Sequence, residues 1–169
     1  ASFGIARERE RGTMEQLRVT PLSRSELLIG KAAPVMIISL FGFSAMLAVI
    51  VFVYRVPMRG SLALLFALTA LYILAEMGIG LTISSVAASQ QQSLLMVFLV
   101  GVLNIAFSGY LVPVKNMPWL LSQVSWFFPV RHYMSILRCL MLKGAGLADM
   151  RADVWALLIL GALIMATTY

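Results

Sequence analysis

The chain is expected to fold as an all-α, polytopic bundle of transmembrane helices, and three observations predict this. First, 61% of its 169 residues are hydrophobic and 12% charged, with a mean hydropathy of +0.94. A soluble domain carries about 25% charged residues and could not hide this much apolar surface at this size. Second, the apolar residues lie in long unbroken runs, whereas the strands of a membrane barrel alternate over about 10 residues. Third, the charge is concentrated, with ten of the twenty charged residues between positions 7 and 31.

That opening cassette, 7–31, is polar with helical pattern. Thr13 followed by Gln16 fits a capping box, in which a hydroxyl and a side chain three residues on satisfy the first free N–H groups of a helix. Ser23 and Glu26 form a second such pair. Pro21 prevents one continuous helix, because the residue before a proline is pushed out of the α region. A short helix from Thr13 to Val19, a Thr-Pro-Leu turn and a new helix after Ser23 are therefore predicted. The charges alternate in sign, unlike a basic lipid anchor. A solvated juxtamembrane helix would also be charged, but two capping boxes around a proline turn specify a defined shape suited to docking another protein.

The spans follow in order. Residues 32–54 are uncharged between Lys31 and Arg55, long enough to cross a bilayer, which takes about 20 residues; Pro34 lies in the first turns and is a candidate kink. A polar loop, Arg55 to Ser61, leads to a second span at 62–86, interrupted by Glu76. An uncharged turn with Gln90, Gln91 and Gln92 precedes a third span at 94–112, stopped by Pro113. Residues 113–153 differ: Trp119 and Trp126 suit a membrane interface, and the apolar runs on either side of Pro129 are too short to span. Two interfacial or re-entrant helices are predicted there. A fourth span begins at 154 and runs to 169. It is short for a crossing, and the start of the chain lacks a methionine and a signal-peptide pattern, so both ends are expected to continue into a longer protein.

Charge and composition exclude several functions. The net charge of +6 would suggest nucleic acid for a soluble protein, but here the basic residues flank helices, as is usual in membranes, so no nucleic-acid partner is expected. Counting Lys and Arg does not orient the chain: six lie on the cassette side and seven on the other. Cys139 and His132 are the single residues of their types, which leaves no disulfide and no metal cluster. There is no G-x-x-x-x-G-K-[ST] phosphate loop, no H-E-x-x-H and no G-x-S-x-G, so neither ATP binding nor hydrolytic chemistry is expected in this chain.

The run Arg9 to Lys31, Arg-Glu-Arg-Gly-Thr-Met-Glu-Gln-Leu-Arg-Val-Thr-Pro-Leu-Ser-Arg-Ser-Glu-Leu-Leu-Ile-Gly-Lys, resembles the signature of ABC-2 type permeases, the membrane subunits of ABC exporters that include bacterial multidrug efflux systems. Ser108 to Trp119 and Phe128 to Tyr133 resemble the closing segment of the same family, so the resemblance covers essentially the whole chain. It implies a six-helix permease with a coupling helix between its second and third spans, docked on a separate cytoplasmic ATPase subunit that binds ATP and Mg; no cofactor is implied in this chain itself. The four spans become the third to sixth, the cassette faces the cytoplasm, and 113–153 forms an external re-entrant pair. A second permease copy or paralogue, the lipid bilayer and a lipophilic substrate complete the implied partners, in the cell inner membrane. Drug-like molecules lead as substrates, with lipid or polysaccharide carriers behind; a passive channel or scaffold is the alternative.

Gly12, Thr13, Glu15, Gln16, Leu17, Arg18, Thr20 and Pro21 fall on the coupling motif. Thr13 would cap the helix, Leu17 would enter an apolar cleft of the partner, Glu15 and Arg18 would make polar contacts, and Thr20 with Pro21 would fix the turn. Within the spans, Glu76, Asn104 and Ser108 mark a candidate translocation path. Glu76 is the one ionisable side chain inside a span, where a charge costs at least about 2.5–3.5 kcal/mol, so it should face protein, water or a partner. A neutral, hydrogen-bonded carboxyl that fixes helix packing competes with a cation or proton site, and interhelical hydrogen bonding competes with ligand contact for Asn104 and Ser108. An intramembrane enzyme would need Glu76 and His132 to meet.

Overall fold

A computed structural model describes residues 24–110, 113, 116–144 and 146–168. The coupling-motif residues Gly12, Thr13, Glu15, Gln16, Leu17, Arg18, Thr20 and Pro21 lie outside the described residues. Those described are helical and turn structure with no strand. The helices are α1 (Arg24–Ala48), α2 (Leu62–Val86), α3 (Gln90–Phe107), α4 (Trp119–Ser125), α5 (Pro129–Arg138) and α6 (Arg151–Thr168), with π-helical turns at Val49–Val53 and Cys139–Lys143 continuing α1 and α5. Three helical stretches, Ala32–Val53, Leu62–Val86 and Gln90–Phe107, are long and apolar enough to cross a bilayer.

Among the described residues α1 runs from Arg24 through Pro34 to Ala48; the predicted pair Ser23 and Glu26 includes Ser23, which lies outside them. α1 ends in the π turn, after which Arg55 takes a left-handed conformation with φ of 51°. Ser61 opens α2, its hydroxyl accepting from the Leu64 N–H at 3.5 Å. α3 starts earlier than the predicted 94. Ser89 Oγ accepts from the Gln92 N–H at 3.2 Å, and Gln92 Oε1 accepts from the Ala88 N–H at 2.8 Å. This is a capping-box pair whose return bond reaches one residue further back, to Ala88, and it pulls the three glutamines into the helix. At the other end α3 stops at Phe107, before the predicted 112, because Gly109 adopts a φ of 72°. α6 takes in three residues before 154, so its first turn is polar, with Arg151 and Asp153.

α2 is the central helix: it packs against α1, α3, α5 and α6, and meets α6 far more extensively than α1 or α3. The core is apolar, built on Leu65, Leu68, Ile136, Leu140 and Leu157, with Leu47 of α1 and Met150 joining it. Small residues bring α2 and α6 together. A Cβ at Gly78 would lie 2.7 Å from Ile164 Cγ2, and one at Gly161 would lie 3.7 Å from Ala75 Cβ. Without a hydrophobic drive between helices in lipid, such close backbone approach supplies the packing energy. The 55–61 loop is clamped onto the π turn after α5: Arg59 N–H donates to Met141 O at 3.3 Å, and Gly60 is so close to Leu140 O that a Cβ would sit 2.5 Å from it. By contrast, Phe41 and Phe52 of α1 and Phe98 of α3 are 77%, 80% and 71% exposed, surfaces suited to lipid or a second helical protein.

Candidate functional site

Polar side chains in a membrane helix are expensive unless they find one another, and the residues of α2 do so along one face. Thr69, Tyr72 and Glu76 are spaced by three and four, which stacks them on one side of the helix. Thr69 Oγ1 donates to Leu65 O at 2.7 Å, so its proton is used; the 2.9 Å contact with Tyr133 of α5 is therefore a bond that Tyr133 donates. The Tyr133 ring lies flat on Tyr72, 4.3 Å between centroids and 4° apart. Tyr72 in turn lies one helical turn from Glu76 and lines the same cleft.

From α3, Asn104 Nδ2 donates to both Glu76 oxygens at 3.2 Å each. Asn104 Oδ1 is buried with no partner among the described residues. The pair opens on a cleft of about 330 Å³ between α1, α2 and α3, walled otherwise by apolar and small residues such as Val35, Ile73, Ile83 and Val100. Its size is within the range of small-molecule sites. The acceptors gathered there, two carboxylate oxygens and one unmatched amide oxygen, favour a guest that brings hydrogen-bond donors.

Ser108, the third residue of the predicted path, does not join this pair. Its hydroxyl donates to Ile105 O at 2.7 Å and accepts from the Tyr110 N–H at 3.1 Å, closing the end of α3. It lines a second cleft of about 340 Å³ that shares Tyr72 and Asn104 with the first. A third cavity, of about 560 Å³, shares Ser108 and Met134 with the second and is bordered by Arg131, Arg138 and Lys143. The three form a chain of clefts from the Glu76 level to the end of the bundle where α3 stops and α6 starts.

That end is fastened by a polar cluster. His132 is 1% exposed. Its Nδ1 lies 2.9 Å from Asp153 Oδ1 and its Nε2 lies 3.1 Å from Trp126 O. Both ring nitrogens face acceptors, an arrangement that the doubly protonated ring satisfies. Ser135 donates to Asp153 Oδ2 at 2.6 Å. Burial by itself would raise the Asp153 carboxyl, but the hydrogen bonds from His132 and Ser135, with the charges of His132 and Arg131, hold it below its ordinary value. Arg131 donates to Ser122 O at 2.7 Å and to Ser125 Oγ, and its guanidinium lies 4.8 Å over the Trp126 ring. His132 is thus committed to Asp153 and Trp126, and Glu76 to Asn104. The two do not form the acid–base pair an intramembrane enzyme would use. No group of three metal-ligating side chains occurs among the described residues.

Sequence reasoning did not single out Tyr72, Tyr133 or Asp153. The signals were there: Thr69, Tyr72 and Glu76 at helical spacing, and His132 and Ser135 three apart on one face of α5.

The comparisons with known proteins agree with the helical architecture. The family model described as ABC-2 family transporter protein matches residues 1–169. The chain is 39% identical over 168 residues to the probable multidrug ABC transporter permease YbhR of Escherichia coli, covering 99% of this chain and 46% of that protein. It is 36% identical over 147 residues to the permease YbhS of the same organism, covering 85% of this chain and 38% of that one. It is 31% identical over 144 residues to the inner membrane transport permease YhhJ, covering 84% and 38%. The chain thus spans less than half the length of these relatives. No solved structure matches. With its model matched from end to end, polar pairs set between apolar helices and the signature run at residues 9–31, the chain belongs to the ABC-2 family of transporter proteins.

Proposed function

We propose that the full protein is the permease subunit of an ABC exporter in the inner membrane, moving lipophilic, drug-like substrates out of the cell. In this reading a separate cytoplasmic ATPase docks on the cassette around Gly12, Thr13, Glu15, Gln16, Leu17, Arg18, Thr20 and Pro21. ATP hydrolysis there moves α1, which carries the cassette at its N-terminal end. The four apolar segments, the last beginning at 154, are the final spans of a six-helix unit that pairs with a second copy or paralogue. Residues 113–153 form the external re-entrant pair. The multidrug naming of YbhR and YbhS supports the substrate class, and the naming of YhhJ supports the compartment.

The single observation that carries the reading is the Glu76–Asn104 pair facing a cleft between apolar helices, with the clefts beyond it reaching the end of the bundle where α3 stops and α6 starts. Glu76 and Asn104 are the polar contacts of the translocation path, and Ser108 stands at its exit. An apolar guest fills the cleft walls, and its donor groups satisfy the carboxylate and the spare Asn104 oxygen.

The test is co-purification of the full-length permease with its candidate ATPase. The wild type is expected to retain the ATPase, and a Glu15→Arg, Leu17→Asp double variant of equal monodispersity is expected to lose it. Equal retention by both, or by neither, sinks the docking role of the cassette and favours a channel or scaffold.

A further inference from the structure

We propose that the basic cavity at the outer end of the bundle is a binding site for an anionic, phosphate-type group. It lies between the end of α3, the length of α5 with its π turn, and the first turn of α6, and encloses about 560 Å³. Three cationic side chains converge on it, Arg131, Arg138 and Lys143, against one lining carboxylate, Asp153. Asp153 is coupled to Arg131 and has its oxygens on His132 and Ser135, which leaves Arg138 and Lys143 without a carboxylate partner among the described residues.

The two guanidinium groups are held in place with donors to spare. A guanidinium carries five N–H donors in a planar fork that matches phosphate oxygens. Among the described residues, Arg138 uses one nitrogen, Nη2, donating to Gly109 O at 3.0 Å. Arg131 uses Nη1 for Ser122 O and Ser125 Oγ and rests on Trp126. Both are therefore oriented before a ligand arrives, which lowers the entropic cost of binding. Lys143 is exposed and adds a mobile point charge at the rim. Met134 and Leu142 supply an apolar wall beside the cations, so the cavity suits a phosphate attached to an apolar body.

The location makes such a group available. α1 ends, α2 begins, α3 ends and α6 begins at this end of the bundle. Trp126 lies under the Arg131 guanidinium, and Trp119, Trp126 and Trp155, at the ends of α4 and in the first turns of α6, are 73%, 49% and 63% exposed. Tryptophan collects at the headgroup level of a bilayer. A phosphate there comes either from an anionic lipid headgroup or from solution.

The proposal concerns binding and does not depend on the exporter reading. The full-length permease, held in neutral detergent, would be titrated separately with phosphatidylglycerol, phosphatidylcholine and inorganic phosphate, following retained ligand and the thermal midpoint. The wild type is expected to bind phosphatidylglycerol more tightly than phosphatidylcholine. Arg138→Gln with Lys143→Gln should weaken binding about thirtyfold, and Lys143→Gln alone about fivefold, the worth of one basic residue near an anionic surface. Arg138→Lys should keep much of the affinity. Because Arg138 also holds Gly109, the ligand-free midpoint of each variant separates folding loss from binding loss, and the exposed Lys143 single change keeps the test open if the double variant misfolds. Phosphatidylglycerol bound without competition from inorganic phosphate identifies a lipid source, and competition by millimolar phosphate a soluble one. Variants that bind like the wild type, equal binding of the two lipids, or a wild type that binds none of the three ligands overturns the proposal.

Discussion

At the scale of single residues, the chain places two acidic side chains in opposite settings. Glu76 faces an apolar cleft and is met by Asn104, so a carboxyl there is tolerated rather than stabilising. On the proposed exporter reading, Glu76→Gln should raise the thermal midpoint of the purified full-length protein while lowering substrate-stimulated ATP hydrolysis, in a complex reconstituted with the proposed ATPase, about tenfold, the worth of one hydrogen bond to a charged group. Unchanged stimulation would remove Glu76 from the path. Asp153 is the reverse case, a carboxylate held below its ordinary value of 3.8 by His132 and Ser135. A depressed carboxylate contributes stability that is complete above the unfolded value and is lost as pH falls through the folded one. The wild type should melt above Asp153→Asn at pH 7, and the gap should close as the pH is taken below 3.8. A gap that does not narrow as the pH falls below 3.8 would contradict the assignment.

At the scale of elements, the close approach of α2 and α6 is the feature most exposed to mutation. Gly78→Val would put carbon where Ile164 already stands, 2.7 Å from the new Cβ, and overpacking of this kind costs about 1–3 kcal/mol. A thermal midpoint within a degree of wild type would show that α6 yields. The elements also separate what was legible in the sequence from what was not. α2 was readable because its ends are punctuated: Ser61 caps one, and the apolar run stops at Val86. The start of α3 was not, because a cap followed by three uncharged glutamines reads as loop until Ser89 and Gln92 are paired as a capping box. Asp153 read as linker because its partners lie 18 and 21 positions away, a relation no local pattern encodes. Tyr72 was hidden because an aromatic residue within an apolar run reads as lipid-facing, and its polar tip matters only once α5 is folded over α2.

At the scale of the whole molecule, the distribution of buried surface predicts unequal sensitivity. Leu140 is fully buried in the core while Phe41 of α1 is 77% exposed. Leu140→Ala should cost about 2–5 kcal/mol and Phe41→Ala less than about 0.5 kcal/mol, read as midpoints of the same purified protein. Comparable losses would mean that the outer face of α1 is covered in the isolated subunit. The fold class needed only composition and run length, since 61% hydrophobic residues in unbroken runs leave few alternatives. The chain of clefts could not be read, because it depends on which faces of α2, α3 and α5 meet.

The uneven grip on α2 has a mechanical consequence. α2, α5 and α6 interlock like a fixed rail, with glycine at the tightest crossing and the 55–61 loop clipped onto the turn after α5. α1 and α3 touch this rail along much less of their length. In the proposed coupling, a push delivered at the start of α1 would travel along a rod of 25 helical residues, rising about 1.5 Å per residue, and meet its firmest resistance at the far end, where Leu47 joins the core. The rod would then swing about that end like an oar in its lock, with the larger stroke toward Val35 and Ser39, at the wall of the Glu76 cleft.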